Sequence, residues 1–431
     1  MPRRVLIVSY YFPPHPSVAS LRLRGLVRYL PEFGWEPTVL TATHPQAPAD
    51  EGGRVVRAHD PGELSVLIKR RLGLDSEKSF QEQLRVPEGW RAQRRSRVAA
   101  VFQRIKGVLV YPDDMRPWAA NATRVGRELV AREPFDALLS SSGPATVNLV
   151  ARELQVASGL PWLADFRDLW TLKQDYTFGE LRRAVERRLE LKTLAGAGAM
   201  VTISGPLAEA HGRLHGRPVG VIENGFDPEE RTPPGSVPLA PGYRIVYAGT
   251  LYQGSRDPVP FLEVLARMRR AGELAEAQVD FYGDAPDWLA RAVDQLALGD
   301  AVTLHGRRPR EEVLQREREA QLLLLLGWRD RSQRGVMTGK LFEYLAAGRP
   351  ILAWDSATGD VVDALLRETG AGWNCADPGQ LEATLRATYA DYAQAGQVRW
   401  EPAAAAIDAY SHRAMARRFA EALDQLVAAS S

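Results

Sequence analysis

The sequence predicts an α/β protein of two domains, each built on a parallel sheet. Short apolar strands alternate with helix-period segments in both halves of the chain. A proline-rich stretch separates the halves, and a length of 431 residues favours two cores over one.

The first half opens with an apolar strand at residues 5–10. Pro13, Pro14 and Pro16 force a loop. Ser20 is placed to cap a helix whose apolar face is Leu23, Leu26, Val27 and Leu30. Gly34 ends that helix, and 37–41 reads as the second strand. Residues 43–118 are polar, rich in Arg, Pro and Gly, and read as an insertion. The alternation resumes with a helix at 120–131, a strand at 137–140, a helix at 146–157 and strands at 162–165, 200–203 and 219–222. The first domain is therefore expected over 1–223.

The linker is 224–242, opened by the turn pair Asn224-Gly225 and holding Pro228, Pro233, Pro234, Pro238 and Pro241. The second domain, 243–400, shows strands at 244–248, 278–282, 302–304, 322–326 and 351–354. A helical segment, 401–431, contains a last amphipathic helix near 411–428 and can pack back on the first domain.

Composition narrows the function classes. Hydrophobic content of 45% and charged content of 25% describe a globular protein. A net charge of +2 gives no reason to expect nucleic acid as a partner. The single cysteine, Cys375, excludes an intramolecular disulfide and a cysteine-based zinc site, which suits the cytoplasm. The apolar run at 5–8 is too short for a signal peptide, and no run approaches the roughly eighteen apolar residues of a membrane span. Any membrane contact is expected to be peripheral, at the inner face.

The densest signal is Lys340-Leu-Phe-Glu343-Tyr-Leu-Ala-Ala-Gly348-Arg-Pro350. It predicts a helix over 339–347 between two buried strands, closed by Gly348 and stopped by Pro350. Leu341 and Leu345 face the core, while Lys340, Glu343 and Ala347 share another face. A carboxylate on the first turn of a helix that follows a strand lies where open α/β sheets bind ligands. Such a glutamate can accept two ribose hydroxyls, and the helix N-terminus can face a phosphate.

This stretch resembles the donor helix of GT-B glycosyltransferases, family 4 in particular. The resemblance continues through Tyr10-Tyr-Phe-Pro-Pro14, Asp165-Phe-Arg-Asp168-Leu-Trp170, Ile222-Glu-Asn-Gly-Phe-Asp227 and Tyr247-Ala-Gly-Thr250, in order. It implies two Rossmann-like domains facing across a cleft, with the donor mainly on the second and the acceptor on the first. It implies a retaining transferase that moves a sugar from a nucleotide diphosphate sugar to an acceptor hydroxyl. Glycan or exopolysaccharide assembly is the expected setting, and tailoring of a small secondary metabolite the alternative. The family's second glutamate, eight positions before Glu343, is replaced by Gly335. That departure keeps a non-catalytic nucleotide-sugar sensor open as a reading of another class.

The expected donor residues are Gly249, Thr250, Arg256, Thr338, Gly339, Lys340, Leu341 and Glu343. Glycine lets backbone N–H groups approach an anion, and a cation stabilises the departing diphosphate. Thr250 stands where the family's loop arginine is usual, and Arg256 is the nearest match to its lysine. Arg256 is a catalytic candidate for the same reason. Asp165 and Asp168 are candidates for taking the acceptor's proton or orienting its hydroxyl, with Arg167 able to pair with either instead. His15, Ser17 and Ser20 form a candidate acceptor or phosphate loop.

No cofactor and no metal are expected. His211 and His215 have a helical ligand spacing, but no clear third ligand accompanies them and Gly212 weakens the helix. Asp113-Asp114 is not a spaced Asp-x-Asp motif, and Gly196-Ala-Gly198 lacks the third glycine of a dinucleotide fingerprint. His305, Arg307, Arg329, Arg331 and Arg334 are further polar groups on loops of the second domain. The stretch 85–109 is basic, with Val98, Val101, Phe102, Ile105 and Leu109 at helical spacing. It fits either a peripheral membrane contact near a lipid-linked acceptor or a helix packed on its own domain.

Overall fold

The structure, a computed structural model, describes residues 2–15, 17–48, 54–71, 110–173, 176, 178–327 and 335–430. The chain divides into two compact units. The first comprises Met1–Ile203, Leu207–Ile222 and Ala416–Ser431, and the second Ser204–Pro206 and Glu223–Met415.

The first unit holds a seven-stranded parallel sheet: β1 Arg3–Val8, β2 Trp35–Ala42, β3 Val55–Ala58, β4 Ala137–Ser142, β5 Trp162–Phe166, β6 Ala199–Thr202 and β7 Gly220–Val221. Their spatial order is β3-β2-β1-β4-β5-β6-β7. Val5, Leu6, Ile7 and Val8 are fully buried, as continuous apolar runs are in a sheet covered on both faces. Strand order reverses between β1 and β4, so the loops after these two strands diverge and leave a crevice at their carboxyl ends.

The second unit holds six parallel strands: β8 Tyr243–Ala248, β9 Ala277–Tyr282, β10 Val302–Gly306, β11 Leu322–Leu326, β12 Ile351–Trp354 and β13 Gly372–Cys375. Their order is β10-β9-β8-β11-β12-β13, with the reversal between β8 and β11. Alternation splits the core between the sheet's faces. Tyr243, Ile245, Tyr247, Leu322, Leu324 and Leu326 enter one apolar cluster, while Val246, Ala248, Leu323 and Leu325 enter another with Leu341, Tyr344 and Leu345. The helix Gly339–Ala347 has the expected bounds, and Gly348 closes it at φ 67°.

Several elements differ from expectation. The segment read as an insertion contributes the edge strand β3, paired with β2 from Val39↔Val55 to Ala42↔Ala58, and the helix Leu64–Arg71. Four residues are too few to show a period. The basic stretch 85–109 lies outside the described residues, as do Arg329, Arg331 and Arg334. Ser17, not Ser20, caps the first helix, Val18–Tyr29, accepting the Ser20 N–H at 3.2 Å. Strand β13 and the helix Glu180–Leu194 were not foreseen. That helix places Glu190 beside His211 and His215, the third side chain that sequence spacing did not reveal. Asp113 and Asp114 serve as caps: Asp113 accepts the Thr146 N–H at 2.8 Å and its hydroxyl at 2.7 Å, and Asp114 accepts the Ser65 N–H at 3.0 Å. Among the described residues no helix is long and apolar enough to cross a membrane.

Candidate functional site

In the second unit the turn after β8 meets the start of the helix Gly339–Ala347 at the reversal of strand order. Gly249, directly after β8, has φ 133°, and its N–H donates to the Tyr282 carbonyl at 2.7 Å. A β-carbon there would collide with the Lys340 ammonium, so glycine makes room for that cation. Two tyrosines hold the turn. The Tyr247 hydroxyl donates to the Thr250 carbonyl at 2.9 Å, and the Tyr344 hydroxyl accepts the Ala248 N–H at 3.1 Å. Thr250 itself is exposed. The loop closes where the Tyr252 N–H meets the Arg256 carbonyl at 3.2 Å.

Two cations converge on this loop. Lys340 Nζ lies 5.6 Å from the centre of the Tyr247 ring. Burial pushes the Lys340 pKa down, the Glu343 and Glu317 carboxylates oppose that, and Arg256 adds to it. Burial also lowers the Arg256 pKa, against the pull of Tyr247 and Tyr252. The two positive charges therefore act on one another beside a backbone that an anion can approach.

Glu343 lies one turn into the helix Gly339–Ala347, with its side chain 21% exposed. Arg310 donates to it and reaches Glu230 at 3.5 Å with its other nitrogen. Beneath them is Glu317, fully buried. Burial, then the Glu343 charge, raises the Glu317 pKa well above its ordinary value, while Lys340 and Arg310 pull it back. Thr338 is the N-cap and Gly339 the first residue of the helix. The Leu341 side chain is in the core, so only its backbone is available, and its N–H already bonds the Thr338 carbonyl at 3.1 Å. The helix spacing showed Lys340 and Glu343 together. Arg310 and Glu317, from the helix Arg310–Glu319, carried no sequence signal of their own.

Other polar groups of this unit are engaged elsewhere. Arg307 pairs with Asp284 at 2.6 Å. His305 meets Asp280 at 2.7 Å and stacks on Tyr282 at 4.3 Å. Gly335 has φ 88°, a conformation that strains a residue with a β-carbon.

In the first unit, the loops after β1 and β4 border a cavity of about 510 Å³, lined in part by Tyr11, Gly143, Asn148, Arg167, Asp168 and Trp170. Asp168 is 52% exposed and takes a hydrogen bond from Arg167 at 3.0 Å, while Arg167 also donates to the Gly143 carbonyl at 3.2 Å. Asp165 is different. It is fully buried at the end of β5, where it accepts from Arg22 at 2.9 and 3.1 Å and from the Ser141 hydroxyl at 2.8 Å. Its partner is Arg22, not the neighbouring Arg167, and the closed network fits a structural role rather than contact with an acceptor. His15 packs 4.5 Å from Tyr11 and 5.9 Å from His44, and burial followed by His44 lowers its pKa. Ser17 and Ser20 are joined hydroxyl to hydroxyl at 3.3 Å, and Ser20 is buried. The cap uses the atoms that were expected to meet a ligand.

Residues 242–391 match the family model described as Glycosyl transferases group 1. No curated protein sequence matches the chain. Among solved structures the chain is similar to sucrose-phosphate synthase from Thermosynechococcus elongatus, at 16% identity and a TM-score of 0.63, over 99% of this chain and 100% of that one. It is similar to Anabaena HepE in complex with UDP and glucose, at 13% identity and a TM-score of 0.60, over 98% and 100%. It is also similar to the lipopolysaccharide outer core galactosyltransferase WaaB, at 12% identity and a TM-score of 0.57, over 98% and 99%. The shared feature is the fold, the pair of Rossmann-like domains of GT-B glycosyltransferases.

Proposed function

We propose, from the premise that residues 242–391 are a glycosyltransferase group 1 domain within a GT-B fold, that this protein transfers a sugar from a nucleoside diphosphate donor to an acceptor hydroxyl with retention of configuration. The observation that carries the reading is the convergence of Lys340 and Arg256 on the Gly249 turn, next to the accessible Glu343. The bond between the anomeric carbon and the diphosphate oxygen breaks, and charge grows on the diphosphate. Two fixed cations oppose that charge without reorganising. Glu343 accepts ribose hydroxyls and gives up part of its pairing with Arg310, which keeps Glu230 as a partner. On the acceptor side, the first-unit cavity offers Asp168 to take the proton as the acceptor oxygen bonds to the sugar. UDP is the first nucleotide to test, because the HepE neighbour is described in complex with it. Assembly of a glycan is the proposed setting.

The test is calorimetry with UDP, GDP and ADP on wild type and Glu343→Ala. The variant should stay folded and lose about 2–3 kcal/mol of affinity for the preferred nucleotide, roughly 30- to 150-fold. Unchanged affinity removes Glu343 from the site. The glycine at 335, where the resembled family carries its second glutamate, supports one rival, a sensor that binds the nucleotide sugar and does not turn it over. Release of free sugar from the donor by purified protein separates the two.

A further inference from the structure

We propose that Glu190, His211 and His215, all in the first unit, bind a divalent transition ion, with zinc the first candidate. One potential ligand atom from each lies within 4.8 Å of the others. His211 and His215 are one turn apart on the helix Gly205–His215, their rings 6.0 Å apart and inclined by 24°. Glu190 comes from the helix Glu180–Leu194.

Geometry separates this cluster from ordinary packing. His215 Nε2 and Glu190 Oε1 are 3.4 Å apart and make no hydrogen bond with each other. A tetrahedral ion with bonds of about 2.0–2.1 Å holds its ligands about 3.4 Å apart, the edge of the tetrahedron. Neither ring nitrogen of His211 has a hydrogen-bond partner among the described residues. Glu190 and His211 are fully buried, and the His215 side chain is 4% exposed. Polar atoms so enclosed normally find partners, and one ion would satisfy all three side chains.

The carboxylate is already oriented. Glu190 Oε2 accepts the Thr171 N–H at 3.2 Å and the Thr171 hydroxyl, which leaves Oε1 turned to the histidines. Such an outer-shell partner is what a ligating carboxylate requires. Two imidazoles and one carboxylate suit zinc or a similar transition ion better than magnesium or calcium, which prefer oxygen. A water would complete the tetrahedron. The Phe166 ring, 4.6 Å from His211, ends the strand that leads to Asp168, so the ion would tie two helices behind that strand end.

The experiment uses the full chain, stripped with a chelator and dialysed against zinc or cobalt. Wild type should retain about one zinc per chain, give the intense visible absorption of tetrahedral cobalt, and melt at a higher temperature with zinc than without. His215→Gln should lose the ion, and Thr171→Val should weaken zinc about 10- to 100-fold while keeping all three ligands. Equal substoichiometric zinc in wild type and His215→Gln, or wild-type cobalt with the weak spectrum of the aqueous ion, overturns the site. Should the variants not fold, the wild-type cobalt spectrum decides alone.

Discussion

Asp165 and Glu343 are both carboxylates near the carboxyl edge of a parallel sheet, and each is paired with an arginine. Their surroundings differ. Asp165 and Arg22 are 0% and 1% exposed, joined by two hydrogen bonds and enclosed with Ser141. Glu343 and Arg310 are 21% and 50% exposed, above a buried Glu317 and beside Lys340. The same pair of residue types makes a closed tie where water is excluded and, in the function proposed above, a ligand site where it is not. In the buried pair neither charge can leave without stranding the other. In the open pair a ligand can replace part of the ion pair at small cost, because such a bridge contributes little in water.

The largest effect should come from breaking the closed pair. Arg22→Met leaves Asp165 charged and buried, and should cost about 3–5 kcal/mol of stability, measured by chemical unfolding of purified protein. A loss below 1 kcal/mol would place Asp165 among the accessible groups after all. Asp168→Asn should leave the melting temperature and donor affinity near wild type and reduce transfer roughly 100-fold. Full transfer by that variant would end the acceptor-side assignment.

The smallest effect concerns Glu317. Its folded pKa is raised above the ordinary 4.5, so from about pH 4.5 upward the folded state keeps a proton that the unfolded chain has lost. Stability from this group is therefore present below pH 4.5 and declines as pH rises towards the folded value. Glu317→Gln should match wild type near pH 4.5 and melt progressively higher than wild type towards pH 8. Parallel melting curves across that range would mean that Glu317 is charged in the fold.

Much of the fold was legible because its signals are local. Apolar runs placed the ten strands now numbered β1, β2, β4–β6 and β8–β12, and β7 was visible as the weak run at 219–222. Gly348 and Pro350 marked the end of the helix that carries Lys340 and Glu343. The two strands that escaped, β3 and β13, have four residues each. The tertiary structure decided which charges meet. Arg22 finds Asp165 across 143 positions of chain, and Arg310 finds Glu343 across 33. Glu190 meets His211 and His215 from a helix whose partners are set by packing. Backbone period and caps act over one or two turns, so sequence spacing records them. Pairing between side chains depends on strand order and on burial, which set both the partner and the dielectric, and neither is written at any single position.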